Sequence, residues 1–228
     1  MIRFYFNAAP NPMKVALFLE EAGLDYEPVP VDTKAGQQHG ATFRAINPNG
    51  KVPALTDGEA VVFDSNAILL YLAEKTGRFL PSDSGDAARG ALLSWLMFVA
   101  SGVGPYSGQA VHFRHFAKDR NAYAYDRYRF EAQRHWQIVE DRLGQGPYML
   151  GRDYTIVDMA VWGWADRLPF MLGDDAMEAY PNIARLQAEI EARPAAARAR
   201  ALPTRHSFKQ EMDEEAIRHM YPQLAAST

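Results

Sequence analysis

Apolar positions along this chain change their period once, near residue 80. Before that point short β-rich runs alternate with helical stretches, and beyond it only the helical period persists. Ile2 to Phe6 is a β-rich run, followed by the loop Asn7-Ala-Ala-Pro10. Asn11-Pro12 reads as an N-cap with proline at the first helical position, opening MKVALFLEEAG, and Gly23 stands where a C′ residue closes a helix. Tyr26 to Val31 is a second strand, so the chain opens with a βαβ unit whose default is parallel pairing and a right-handed crossover. Thr33 to Gly40 is a polar loop or irregular helix, and Ala41 to Ile46 a short helical turn. Lys51 to Leu55 and Ala60 to Phe63 are strands joined by Asp57-Gly58, a tight hairpin turn, and Asp64-Ser65 caps the helix NAILLYLAEK.

Two features of this stretch point to a ligand. Pro53 inside a strand would cost a ladder hydrogen bond, so it belongs on an edge or at a bulge. If the Val52-Pro53 bond is cis, the main-chain N–H and C=O of Val52 face outward and hold an extended peptide in strand fashion. A few residues on, the helix starting at Ser65 offers N–H groups and a positive dipole end to a carboxylate. A main-chain clamp beside a carboxylate pocket describes a receptor for a small peptide.

Gly77 to Ala87 shifts to proline, glycine, serine and aspartate and reads as a linker. Helical periodicity then covers residues from about 88 to 116, 120 to 143, 155 to 171 and 176 to 193. The first of these should bend or break at SGVGPYSGQ, because Pro105 among glycines does not fit a regular helix. Thr155-Ile-Val-Asp158 has the form of a capping box that nucleates a buried helix. The domain division expected is 1–80, 88–202 and a tail from 203 to 228, with one helix over Glu211 to Tyr221. Whether that tail packs over the cleft, pairs with a partner chain or hangs free is not legible.

The 228 residues carry a net charge of −4, the wrong sign for phosphate neutralisation, so no nucleic-acid partner is expected. No apolar run approaches membrane-spanning length in this reading, and no membrane partner is expected. There is no cysteine, which removes any mechanism with a protein thiol and agrees with a reducing, cytoplasmic location. His112 and His115 share a helix face without an evident third ligand, so no metal is expected. Trp136, Trp162 and Trp164 read as packing residues.

The arrangement resembles the cytosolic glutathione transferase family over about residues 1 to 200. The matching motifs are Val52-Pro53 as a cis-proline pair, Asp64-Ser65 as the acidic-Ser pair, and Thr155 to Asp158 as the helical-domain capping box. Within the family it is similar to the nu class, which includes bacterial glutathione-dependent disulfide-bond reductases and the transferase-like domain of a yeast nitrogen-regulatory prion protein. Ala9-Pro-Asn11 with Lys14, INPNGKVPAL, AILLYLAEKTG, the segment ending at Gln109, and Tyr125 to Arg134 carry that likeness. The resemblance implies a thioredoxin-like N-terminal domain (βαβ-α-ββα, a four-stranded mixed sheet) and an all-helical second domain. It also implies a homodimer that takes glutathione, reduced as co-substrate or bound as the disulfide, together with a small second substrate. The acidic-Ser pair is usually Glu-Ser followed by Gly; here it is Asp64-Ser65-Asn66.

Relatives activate the glutathione thiol with a Tyr, Ser or Cys near the first helix. Cysteine is absent, Tyr5 sits in a strand where either it or Phe6 is core, and Asn11 is the residue left at the helix start. Its amide oxygen can cap the helix while its NH₂ donates to a sulfur anion. By resemblance Val52 holds the cysteinyl main chain, Ser65 the γ-glutamyl carboxylate and Asp64 the γ-glutamyl ammonium. Gln38 and Lys51 lie near the glycyl end, and Arg127 reaches the site from the helical domain toward a carboxylate of a second glutathione. The activity implied is disulfide reduction or conjugation and thioether chemistry by a stabilised glutathione thiolate. The alternative is a non-catalytic glutathione-binding regulatory or scaffold protein with a transferase fold.

Overall fold

The computed structural model describes residues 1–117 and 121–222, which form two compact units. The first comprises Met1–Tyr71 with the C-terminal segment from Ala195, the second Leu72–Pro194. In the first unit β1 (Ile2–Phe6), β2 (Tyr26–Pro30), β3 (Ala54–Asp57) and β4 (Ala60–Phe63) build one sheet in the order β2-β1-β3-β4. β1 runs parallel to β2, from Ile2↔Tyr26 to Phe6↔Pro30, and antiparallel to β3, which pairs antiparallel with β4. Pro28 and Pro30 are tolerated because β2 is an edge. The expectation that Pro53 lies within a strand, on an edge or at a bulge, is corrected, because β3 starts only at Ala54. Pro53 precedes Ala54, the first residue of this inner strand, where no ladder bond is required of it.

Both sheet faces are covered. Tyr5, Val31, Phe43 and Ala54 form a cluster beneath α2 (Ala41–Ile46). On the other face Phe6 stacks on Phe4 at 5.3 Å and meets the edges of His206 and Phe208. The expectation that only one of Tyr5 and Phe6 is core is therefore corrected: both are buried. α1 (Pro10–Ala22) is buried continuously from Pro12 to Leu19, and Gly23 closes it in the left-handed conformation at φ 63°. α3 (Ser65–Thr76) follows β4 directly.

The second unit begins with α4 (Asp86–Phe98), a π turn over Val99–Val103 and α5 (Gly104–His115). The regular α-helix is interrupted where SGVGP predicts a bend or break, but by a π turn rather than by an end of the helix. The wider π turn leads into Gly104-Pro105 at the start of α5, where a missing N–H costs nothing, and the helix runs on from Asp86 to His115. An 18-residue window within that run is long and apolar enough to cross a membrane by length and composition alone, where the sequence reading finds no apolar run approaching that length. Glycine is required at Gly102, because a Cβ there would run into the His135 ring. His135 in turn lies against Phe98 and Tyr106.

α6 (Ala122–Leu143) carries Trp136, whose Nε1 donates to Ser107 Oγ at 3.0 Å. The apolar run expected as one helix from 155 to 171 splits into α7 (Ile156–Ala165) and α8 (Leu168–Leu172), with Pro169 in the first turn of the second. Glu140 supplies from α6 the cap that Tyr180 does not provide for α9 (Pro181–Glu191). Its carboxylate accepts the N–H groups of Asn182 and Ile183 at 2.9 and 3.0 Å.

Every residue of α7 is buried, so its start must satisfy its own polar groups. Asp158 Oδ2 accepts from Thr155 N–H at 2.8 Å and from its hydroxyl at 3.1 Å, and Oδ1 takes Met149 N–H at 2.8 Å. Burial pushes this carboxyl up to about 6 while those hydrogen bonds pull it down. The folded chain therefore binds the proton more tightly than the unfolded chain, and this group's contribution to stability falls as pH rises through about 6. At neutral pH, Asp158→Ala strands the Met149 and Thr155 donors. Urea unfolding should show a loss of about 2–4 kcal/mol; a loss below about 0.5 kcal/mol would mean the box is dispensable.

Candidate functional site

Strand register decides which loops meet. Tyr5 of β1 pairs with Ala54 of β3, and Ala54 with Phe63 of β4. The chain leaving β1 for α1, entering β3 past Val52 and leaving β4 for α3 therefore does so at one end of the sheet. β2 ends there as well, since Pro30 pairs with Phe6, and it leads toward Gln38. Asn11, Gln38, Lys51, Val52, Asp64 and Ser65 all belong to these segments.

The Val52–Pro53 peptide bond is cis. Val52 lies outside β3, and its side chain packs against the Tyr5 cluster on the α2 face. Its main chain thus sits at the sheet end outside the pairing ladder, as a peptide clamp requires. Lys51 has an exposed side chain, while its carbonyl accepts from Asn47 Nδ2 at 2.6 Å.

α1 starts differently from the sequence reading. Its N-cap is Ala9, not Asn11, with no side-chain cap bond. Pro10 and Pro12 have no N–H, so Asn11 alone among the first three helical residues carries one, and a side-chain cap has little to satisfy. Asn11 is thereby placed one residue inside the helix, half-buried, at its positive end.

Asp64 adopts a left-handed backbone at φ 73°, rare for a residue with a side chain. It is held there by capping: Oδ1 accepts from Asn66 N–H at 2.9 Å and Ala67 N–H at 3.2 Å. One carboxylate oxygen is thus committed to the helix. Ser65 and Asn66 are buried, and Lys14 Nζ reaches both, at 3.3 Å to Ser65 Oγ and 3.4 Å to Asn66 Oδ1. Neither Lys14 nor Asn66 was picked out as a site residue from the sequence. The available signal was a lysine three positions after Asn11 on a helix otherwise apolar through Leu19.

Gln38 is buried. Its Nε2 donates to the carbonyls of Thr33 and His219 at 3.1 and 3.0 Å, and its Oε1 is buried without a hydrogen-bond partner. Such an acceptor suits an amide N–H of a ligand. His219 belongs to α11 (Glu214–Met220), so the C-terminal segment packs on the first unit. Lys34 Nζ donates to Gln210 O and Lys209 N–H to Asp32 Oδ2, both at 2.6 Å. Arg127, on α6 of the second unit, pairs with Glu131 at 2.8 Å. The Arg134 guanidinium, with Arg127 beyond it, holds the Glu131 carboxyl below its usual range. No metal-binding cluster occurs among the described residues, and the His115 ring stacks on Phe170 at 3.8 Å.

A four-stranded thioredoxin-like sheet that gathers the cis Val52–Pro53 segment and the starts of α1 and α3 at one end, in a chain whose second unit is helical, is a fold of the glutathione transferase type. Residues 3–74 match the family model for the N-terminal domain of glutathione S-transferase, and residues 110–198 that for its C-terminal domain. Disulfide-bond oxidoreductase YfcG of Escherichia coli (strain K12) is 42% identical over 206 residues, covering 87% of this chain and 94% of that protein. A glutathione transferase family member from Pseudomonas fluorescens pf-5, solved with two glutathione bound, superposes with a TM-score of 0.81. It is 33% identical and covers 87% of this chain and 91% of its own. A glutathione transferase from Pseudomonas putida, with one glutathione disulfide bound per subunit, gives 0.82 at 32% identity, covering 89% and 91%. The chain belongs to the glutathione S-transferase family.

Asp64 offers a clean separation of strain from capping. Asp64→Ala loses the cap and keeps the left-handed backbone, whereas Asp64→Gly loses the cap and relieves it. The alanine variant should be less stable than the glycine variant by about 1 kcal/mol in urea unfolding; the reverse order would show that position 64 is not strained.

Proposed function

We propose that this enzyme stabilises a glutathione thiolate and uses it to reduce disulfides, as a nu-class homodimer in the cytoplasm. The observation that carries the reading is the convergence of the Val52 main chain, the Ser65 helix start and Asn11 at one sheet end, in a chain without cysteine. The unpartnered acceptor on Gln38 and the buried cation of Lys14 fit an amide-rich, anionic tripeptide. Support also comes from the relatives: YfcG bears the name of a disulfide-bond oxidoreductase, and the neighbouring structures hold glutathione or its disulfide. Dimerisation and location rest on the family likeness and the absence of thiols.

Val52 takes the cysteinyl main chain through its N–H and C=O, and Ser65 takes the γ-glutamyl carboxylate through its hydroxyl and its own N–H, because Asp64 already accepts the N–H groups of Asn66 and Ala67. The free carboxylate oxygen of Asp64 faces the γ-glutamyl ammonium, Gln38 and Lys51 serve the glycyl end, and Arg127 serves a carboxylate of the second glutathione. Asn11 donates its amide to the sulfur, aided by the positive end of α1. A thiol of pKa ~8.5 needs about 2.7 kcal/mol of preference for the thiolate to fall by roughly two units. One or two charge-assisted hydrogen bonds at about 1.5–3 kcal/mol each suffice, and no general base is required.

Glutathione supplies the reactive sulfur, so the protein forms no mixed disulfide. One thiolate displaces a thiolate from the substrate disulfide. A second then attacks the mixed disulfide, giving glutathione disulfide and releasing the other substrate thiolate, which takes up the proton lost by the second glutathione. Residues of the chain hold and orient; they do not exchange electrons.

Turnover of 2-hydroxyethyl disulfide with glutathione tests the reading. Asn11→Ala should lower kcat/KM by roughly 10- to 100-fold and move the pH profile toward higher pH, with glutathione affinity nearly unchanged. Glutathione binding without turnover of disulfides or a panel of electrophiles would instead favour a regulatory or scaffold protein.

A further inference from the structure

Lys14 is 1% exposed, in the second turn of α1, with its ammonium directed at the first two residues of α3. A buried lysine is costly unless its charge is used. Its hydrogen-bond partners Ser65 and Asn66 are neutral and distant, at 3.3 and 3.4 Å, and the charged group acting on it is Asp64, in the turn before α3. The first turn of α1 holds no acidic residue. That single carboxylate, already engaged in capping, leaves the buried cation short of compensation.

We propose that Lys14 is a positioning residue of the γ-glutamyl subsite, its buried ammonium aiming the Ser65 hydroxyl at the incoming carboxylate and supplying the countercharge from beneath. This rests on the glutathione reading above and adds to it a proton linkage. As an ammonium Lys14 can only donate, so it occupies a lone pair of Ser65 Oγ and leaves the hydroxyl hydrogen to point at the ligand. As a neutral amine it accepts from that hydroxyl, turning it inward and removing both a donor and a charge from the site. Burial pushes the Lys14 ammonium down to about 7, against the pull of Asp64, so both states are populated in the free protein near neutrality. A bound carboxylate favours the protonated state, and binding above about pH 7 must draw a proton into the protein.

S-Methylglutathione, which has no thiol to release a proton, is the probe. Calorimetric titration of the full chain at pH 6 and pH 8, in buffers of different ionisation enthalpy, should show uptake of roughly more than half a proton at pH 8 and little at pH 6. Affinity should fall by about five- to tenfold between the two. Lys14→Met should bind roughly ten- to a hundredfold more weakly at pH 6, with equal affinity at both pH values and no uptake beyond that of the ligand's own amine. If Lys14→Met does not fold, Ser65→Ala, which keeps the lysine, should bind more weakly while still taking up the proton. Wild-type binding at pH 8 without proton uptake, or Lys14→Met binding as tightly as wild type at pH 6, overturns the proposal. Absence of any binding to wild type at pH 6 overturns the glutathione reading with it.

Discussion

A single row of backbone pairing, Tyr5 to Ala54 to Phe63, carries the site. Side chains alternate faces along a strand, so a slip of one residue would turn Tyr5 and Phe6 to the wrong sides of a sheet that is covered on both. Register is therefore held by the core. Because it is, the start of α1, the approach to β3 and the start of α3 arrive together. On the proposed reading that arrangement matters all the more, since a chain without cysteine brings position and charge, not a thiol, to the sulfur of glutathione.

Helix starts are the recurring device. α1 begins with two prolines that leave few donors, α3 with an aspartate bent into a left-handed turn, α7 with a buried reciprocal cap, and α9 with a carboxylate from a neighbouring helix. Where the helix is structural the donors are closed off. At α3 Asp64 likewise closes off the donors of Asn66 and Ala67, but a buried cation also stands behind the first residue. Burying charge at a helix start whose dipole is already positive makes sense when an anion comes and goes.

Much of this was legible from residue order. Four strands, the parallel first crossover, α2 at Ala41–Ile46 and a hairpin between β3 and β4 follow from periodicity and turn chemistry, although β3 starts three residues later than expected and its turn is Gly58-Glu59. The capping box was equally plain, because its geometry is local. What escaped depended on distant contacts. Asn11 looked like a cap because asparagine usually caps; the flanking prolines, by removing donors, make Ala9 sufficient. The burial of Gln38 was not legible because its cover, His219, comes from 181 positions further along the chain. Pro105 and its glycines marked an irregularity, but not its form, because a π turn has no composition signal. Lys14 was visible in an apolar helix but gained meaning only once Ser65 and Asn66 stood opposite it.

The central claim is that a tripeptide lies along the Val52 main chain with its acidic head at the start of α3. Amide-resolved NMR of the labelled chain, titrated with glutathione at pH 6.5, tests this directly. The account predicts saturable shifts concentrated at Val52, Ser65, Asn66 and Asn11, with one common affinity. Shifts that saturate elsewhere while those four amides stay unmoved would contradict it.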